Sequence, residues 1–157
     1  TANSYKRLLP GQIAGYWKNW GYDHRCATVR VNPERDASTR LENRMPDGAA
    51  SAHMAIASVL TASRLGVEQD LPCPDAETGD ALETACTDEH TPDHLGAALD
   101  ALRADRDFAE AIGPEMVDQY LTVKDTEWEK YLAANGSWEE TIDRFTDWEE
   151  QTYLPYL

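Results

Sequence analysis

The segment from Thr39 to Asp47 restricts the fold most, because charged and less polar side chains alternate along it as they would along a strand. Successive side chains of a strand point to opposite faces, so we expect Arg40, Glu42 and Arg44 to share one face. On spacing alone, a solvated face with local ion pairs is the simpler interpretation. The same face would also suit anionic oxygens and, through its carboxylate, a hard cation such as Mg²⁺.

Charge is distributed unevenly along the 157 residues. The first 44 residues contain eight Lys and Arg against four Asp and Glu, a local charge of +4, so the rest of this −15 chain carries −19. Nucleic acid is held by clustered Lys and Arg, and such an acidic remainder argues against it as a partner. The basic N-terminal part instead favours a local anion site.

The pattern along the chain predicts an α+β fold in a length typical of one domain. Residues 1–47 are predicted to form strands and loops, with residues 26–31 and the Thr39–Asp47 strand in a small antiparallel sheet. Residues 48–66 predict a buried helix, because they are small or apolar nearly all round. A long acidic loop at residues 67–92 and a helical part at residues 93–157 follow.

The acidic loop and the C-terminal part each carry a further prediction. A loop of this length favours an interface or disorder over catalysis. Trp128 and Tyr131 lie at helical spacing, Trp148 belongs to a following helical pattern, and these aromatic side chains are predicted to pack rather than to line a ligand site. Ser137 and Glu140 have the spacing of a capping box and predict that a new helix begins there.

The cysteines and the hydropathy of the chain indicate its redox environment and whether it associates with a membrane. Three cysteines, Cys26, Cys73 and Cys86, form no paired framework, which fits a reducing, cytoplasmic environment. No apolar run reaches membrane-spanning length, so we expect no membrane partner.

Three blocks, in this order and spacing, carry a resemblance to a known family. They are residues 3–11 (NSYKRLLPG), His24-Arg25 with Arg30 five positions on, and residues 40–50 (RLENRMPDGAA). With them, the chain resembles about the last third of a glutamine synthetase family enzyme, which implies a C-terminal fragment of its catalytic domain. The ending, residues 147–154, is more similar to the γ-glutamylmethylamide synthetase, or type III-like, subgroup.

The resemblance implies an ATP-dependent ligase that phosphorylates the γ-carboxylate of glutamate and joins it to ammonia or a small amine. ATP would be a co-substrate, Mg²⁺ or Mn²⁺ the metal, and the full-length protein would self-associate into rings. The implied site residues are Arg7 and Arg44 for glutamate, Arg25, Arg30 and Arg40 for ATP phosphates, with Arg25 also catalytic at the transferring phosphoryl group, and Glu42 for the metal.

Some positions depart from the family pattern. Glutamine-forming members carry a flap Glu just after the Pro-Gly, whereas residues 12–14 (QIA) hold no acid, and residues 51–53 (SAH) and His24 also differ. These departures fit either an amine-using subgroup or an inactive paralogue that acts as a regulatory or oligomer-forming module. The remaining metal ligands would lie upstream, so we predict that this chain alone is inactive.

Overall fold

A three-stranded sheet contains two of the six predicted site residues, Arg30 and Glu42, and Arg40 and Arg44 flank its last strand. The computed structural model describes residues 1–13 and 15–156, with strands β1 (Trp20–Tyr22), β2 (Val29–Val31) and β3 (Leu41–Asn43). The predicted antiparallel pairing of β2 with β3 is confirmed. We did not predict β1, which pairs with β2 in parallel and makes the sheet mixed. The six residues between β1 and β2 are enough to bring the chain back to the start of a parallel strand, because three-residue strands are only about 7–10 Å long.

The predicted Thr39–Asp47 strand is shorter than its alternation suggests. Only Leu41–Asn43 is regular strand, but two backbone hydrogen bonds extend the pairing beyond it on both sides. Asn32 N donates to Arg40 O at 3.0 Å, and Arg44 N donates to Thr28 O at 2.9 Å. Arg40 and Arg44 therefore remain tied to β2 although they flank the strand.

Helix α1 (Ala52–Glu68) is present, but its predicted burial is wrong within this chain. The structure describes every residue of α1, and none of them is buried. Ile56 and Leu60 are 61% and 65% exposed. The helix packs mainly on one neighbouring element, α3 (Arg106–Ile112), which leaves these two side chains uncovered here.

The acidic loop is hydrogen-bonded to the sheet. Its first two predicted residues belong to the end of α1, and the remainder is irregular. Glu77 N donates to Trp20 O at 2.7 Å, and Trp20 Nε1 donates to Pro74 O at 2.8 Å. Near the end of the loop, Thr91 N donates to Tyr16 O at 2.7 Å.

The main core lies between the N-terminal 3-10 helix (Asn3–Arg7) and the C-terminal helices. Besides α3 these are α2 (Leu95–Ala104), α4 (Pro114–Asn135) and α5 (Asp147–Tyr153), followed by a 3-10 turn (Leu154–Tyr156). The buried cluster contains Ala2, Leu95, Leu99, Tyr131 and Trp138, with Trp128 and Trp148 packed against it. The prediction that the aromatic side chains serve packing is therefore confirmed.

The helix predicted to begin at Ser137 is wrong. Ser137 N does donate to Glu140 Oε2 at 3.3 Å, but turns follow and α5 starts only at Asp147. Burial explains the difference, because Thr141 is fully buried and its hydroxyl pairs with Tyr131 OH at 2.6 Å. Turns place Thr141 against the core, and the capping box lies instead at Thr146 and Glu149.

In the described part of the chain, no helix combines the length and the hydrophobicity that a membrane span requires.

Candidate functional site

A carboxylate between two guanidiniums forms the centre of the candidate site. Arg30 and Glu42 face each other across the β2–β3 ladder, and Arg30 Nη1 lies 3.2 Å from Glu42 Oε2. Arg40 Nη2 lies 3.2 Å from the other oxygen, Oε1. The β2 register thus brings Arg30 to the Arg40–Glu42 face predicted from alternation.

Asp23, which sequence reasoning missed, is a second carboxylate at this site. It follows β1 in a left-handed conformation with φ of +48°, which Asp tolerates better than most residues. Arg30 Nε donates to Asp23 Oδ1 at 3.0 Å, and Arg30 Nη2 donates to the same oxygen. This hydrogen bonding and the charge of Arg30 lower the pKa of Asp23, and the bond to Asp23 raises the pKa of Arg30.

Arg25 stays apart from this cluster. Its side chain is exposed, and among residues 1–13 and 15–156 it makes no hydrogen bond or ion pair. Its positive charge still contributes to the lowered pKa of Asp23.

Arg7 and Arg44 meet at the end of β3. Arg7 Nη1 donates to Met45 O at 2.6 Å, and Arg7 Nη2 donates to Arg44 O at 2.9 Å. The Arg44 guanidinium itself has a buried nitrogen, Nη1, with no hydrogen-bond partner among the described residues. Buried donors of this kind are normally satisfied, so this atom fits an anionic group that the chain itself does not supply.

Metal-ligating groups are sparse in this chain. Within the residues that the structure describes, no group of three or more His, Cys, Asp and Glu could hold a metal ion. Glu42 is about one third exposed and its carboxylate oxygens retain acceptor capacity, so it fits one ligand position for a hard cation.

The acidic loop contributes a buried carboxylate beside the sheet, which we also missed. Glu77 Oε1 accepts from the backbone N–H groups of Thr78 and Gly79 at 3.0 and 2.8 Å. Its Oε2 accepts from Cys86 N at 2.8 Å and from Asn19 Nδ2 at 3.2 Å. Burial alone would raise the pKa of Glu77, but these hydrogen bonds outweigh it and lower the pKa to about 2.

His24 stands between the site and this loop. Its Nδ1 accepts from Cys26 N at 3.2 Å, and its Nε2 lies 2.6 Å from Gly79 O. A neutral ring that carries its proton on Nε2 satisfies both contacts. The residue therefore links the turn after β1 to the acidic loop.

The family model described as glutamine synthetase, catalytic domain, matches residues 1–142. The chain belongs to the glutamine synthetase family. Glutamine synthetase of Thermococcus kodakarensis is 33% identical over 98% of this chain, and that of Methanocaldococcus jannaschii is 32% identical over 99%. The resemblance carried by the three sequence blocks is thereby confirmed, while the subgroup stays a prediction.

A solved structure described as a novel glutamine synthase homolog shares the fold. It superposes with a TM-score of 0.68 at 30% identity over 90% of this chain. The expected α+β fragment of a glutamine synthetase catalytic domain is confirmed. This glutamine synthetase family chain spans only 36% and 34% of these two relatives and 32% of the solved homologue.

Proposed function

We propose that this chain is the C-terminal part of an ATP-dependent ligase that joins glutamate to ammonia or a small amine. The observation that carries the proposal is the Arg30–Glu42–Arg40 cluster, with both guanidiniums 3.2 Å from the carboxylate inside the family-matched region. Phosphoryl transfer gathers negative charge on phosphate oxygens, and positioned guanidiniums stabilise that charge.

The proposed reaction has two steps. A γ-carboxylate oxygen of glutamate attacks the γ-phosphorus of ATP, the bond to the β-phosphate oxygen breaks, and γ-glutamyl phosphate and ADP form. The nitrogen of ammonia or an amine then attacks the acyl carbon, loses a proton, and phosphate leaves. Arg30 and Arg40 would bind phosphate oxygens, and Arg25, whose side chain is exposed, would contact the transferring phosphoryl group.

Arg7 and Arg44 would bind glutamate. The unpartnered Nη1 of Arg44 supports this role, since a substrate carboxylate would satisfy it. Arg7 uses one N–H from each of Nη1 and Nη2 on the backbone of residues 44 and 45. A guanidinium has five N–H donors, so further donors of Arg7 remain for a carboxylate.

Glu42 would supply one carboxylate ligand to Mg²⁺ or Mn²⁺, an ion that offsets phosphate charge when bound. With no three-residue ligand group in the described part of the chain, the other ligands would come from residues outside it. If the Glu42 carboxylate held the metal, its bonds to Arg30 Nη1 and Arg40 Nη2 would weaken, and these two nitrogens would become available to phosphate while Arg30 Nε and Nη2 remain bonded to Asp23.

The isolated chain is proposed to be inactive. It spans about a third of its relatives' length, and α1 exposes large apolar side chains such as Ile56 and Leu60. A cavity of about 620 Å³ lies beside α1, lined largely by apolar residues that include Met54, Leu102 and Phe108. Further residues of the same protein would cover these surfaces, and the complete protein would assemble into rings.

The test uses the natural polypeptide that contains this chain and, in parallel, the 157-residue chain alone. We expect phosphate release from the complete protein to require glutamate and Mg-ATP, and to fall at least about a hundredfold in Glu42→Gln. Glu34→Gln, an exposed residue between β2 and β3, is the matched control and should keep full activity. Equal activity of the two variants would contradict the role of Glu42, and activity of the short chain would contradict its incompleteness.

A second candidate is an inactive paralogue with a regulatory or oligomer-forming role. One reason is that the sequence has no acid at residues 12–14, of which Ala14 lies outside the described residues. The other is that the His24 ring is hydrogen-bonded to Gly79 O. Mass spectrometry of products formed with competing ammonia and methylamine distinguishes the candidates. A γ-glutamyl amide identifies both a ligase and its nucleophile, whereas no product with any amine favours the paralogue.

A further inference from the structure

A buried ion pair joins the two ends of the chain. Lys6 Nζ lies 2.8 Å from Glu149 Oε2, and the two side chains are only 11% and 0% exposed. The ammonium also donates to Arg144 O and lies 5.8–5.9 Å from the ring centroids of Trp138 and Tyr131. The lysine is thus held from several directions within the main core.

Glu149 also forms the capping box with Thr146 at the start of α5. Its Oε2 accepts from Thr146 N at 2.7 Å, and its own N–H donates to Thr146 Oγ1 at 3.2 Å. A fully buried carboxylate needs a cation or several hydrogen bonds to offset its lost hydration. Lys6 supplies that cation, so the location of α5 and that of Lys6 depend on each other.

Lys6 is followed directly by Arg7, and both belong to the short 3-10 helix Asn3–Arg7. Lys6 points into the core, whereas Arg7 reaches the end of β3 and donates to Met45 O and Arg44 O. Arg44 N in turn donates to Thr28 O, which precedes β2. A continuous series of contacts therefore runs from Glu149 to the strand that carries Glu42.

We infer that Lys6 and Glu149 are positioning residues that hold Arg7, and through it the Arg44 end of β3, in place for glutamate. The inference rests on the function proposed above. Glu149 lies beyond residue 142, where the family match ends, so the C-terminal helix α5 acquires a role in the site. Small displacements of a binding group have large kinetic effects, and those effects should fall on glutamate rather than on ATP.

The experiment measures steady-state kinetics of the complete protein. Glu149→Gln removes the negative charge but keeps the shape of the side chain, and Glu150→Gln, the exposed neighbour on α5, is the control. We expect KM for glutamate to rise about tenfold in Glu149→Gln while KM for ATP changes less than about twofold. The double variant Lys6→Met/Glu149→Gln removes both charges together and serves if the single variant does not fold.

Each outcome decides the inference. A rise confined to KM for glutamate, in the single or the double variant, supports it. Equal changes in both KM values, or a lower Tm with both KM values unchanged, would assign the Lys6–Glu149 pair to stability alone and overturn the inference. Failure of both variants to fold would overturn it as well. If wild type and Glu150→Gln release no phosphate with glutamate, the proposed function itself fails and the inference with it.

Discussion

Replacing Glu77 by Gln should loosen the acidic loop around residues 77–86. Each carboxylate oxygen of Glu77 accepts two hydrogen bonds, Oε1 from Thr78 and Gly79 and Oε2 from Cys86 and Asn19. Glutamine has one carbonyl oxygen and one NH₂ group. Whichever way its amide is oriented, two of the four donors face another donor instead of an acceptor.

The lowered pKa sets the size of this effect. The pKa of Glu77 falls from its ordinary 4.5 to about 2, a difference of roughly 3 kcal/mol at 1.36 kcal/mol per pH unit. Because glutamine still satisfies two of the four donors, we expect Glu77→Gln to lose about half of this, about 1–2 kcal/mol. A pKa lowered by folding means that the stabilisation is present above pH 4.5 and is lost as the pH falls towards 2.

Hydrogen–deuterium exchange of the complete protein measures the effect locally. Above about pH 5, amides of residues 78–86 should exchange about 5–30-fold faster in Glu77→Gln than in wild type. Glu83→Gln, an exposed acid in the same loop, is the matched control and should leave exchange unchanged. After correction for intrinsic rates, the difference should narrow as the pH falls to about 3.

Two results would refute this reasoning. The first is equal exchange in Glu77→Gln and Glu83→Gln, which would mean that the buried carboxylate does not hold the loop. The second is a difference that stays constant down to about pH 3, which would assign the effect to side-chain shape rather than to charge.

Two stability predictions concern the helical core, each measured by thermal unfolding of the complete protein. Gly96→Ala in α2 would place a Cβ 2.5 Å from Trp128 Nε1 and should lower the free energy of unfolding by about 1–3 kcal/mol. The control is Gly66→Ala in α1, whose Cβ would meet nothing within 4 Å and which should raise the free energy of unfolding by about 0.5–1 kcal/mol. Equal shifts in Tm would show that the close packing on Trp128 is unimportant. Tyr131→Phe removes a buried hydrogen bond to Thr141 and should lower stability by about 0.5–1.5 kcal/mol, while an unchanged Tm would exclude a net contribution from that bond.

Local patterns predicted the elements better than their surroundings. The β2–β3 pair follows from alternation, and α1 follows from its small and apolar residues, although it spans residues 52–68 rather than 48–66. The prediction that α1 is buried is wrong within this chain, because the sequence pattern shows which side chains are apolar and not whether a neighbouring element covers them. The prediction of a helix from Ser137 is wrong because turns bury Thr141 in the core, where its hydroxyl is hydrogen-bonded to Tyr131.

The candidate site shows the same division. Its residue types, and the shared face of Arg40 and Glu42, follow from the sequence alone, because alternation along a strand is a property of the backbone. Which groups meet at that face did not follow, since the β2–β3 register places Arg30 opposite Glu42 and the turn after β1 brings Asp23 to Arg30. The role of each of these residues in glutamate or phosphate binding stays a prediction.

The sequence by itself determined the family, the pairing of β2 with β3 and the basic character of the N-terminal part. The tertiary structure alone decided that Glu77 bonds to β1, that α1 is exposed within this chain, and that Lys6 meets Glu149 from the opposite end of the chain. Helical and strand periods span a few residues and can be read locally. Buried charges find their partners through contacts between residues distant in sequence, here 143 positions apart, and only the folded chain brings those together.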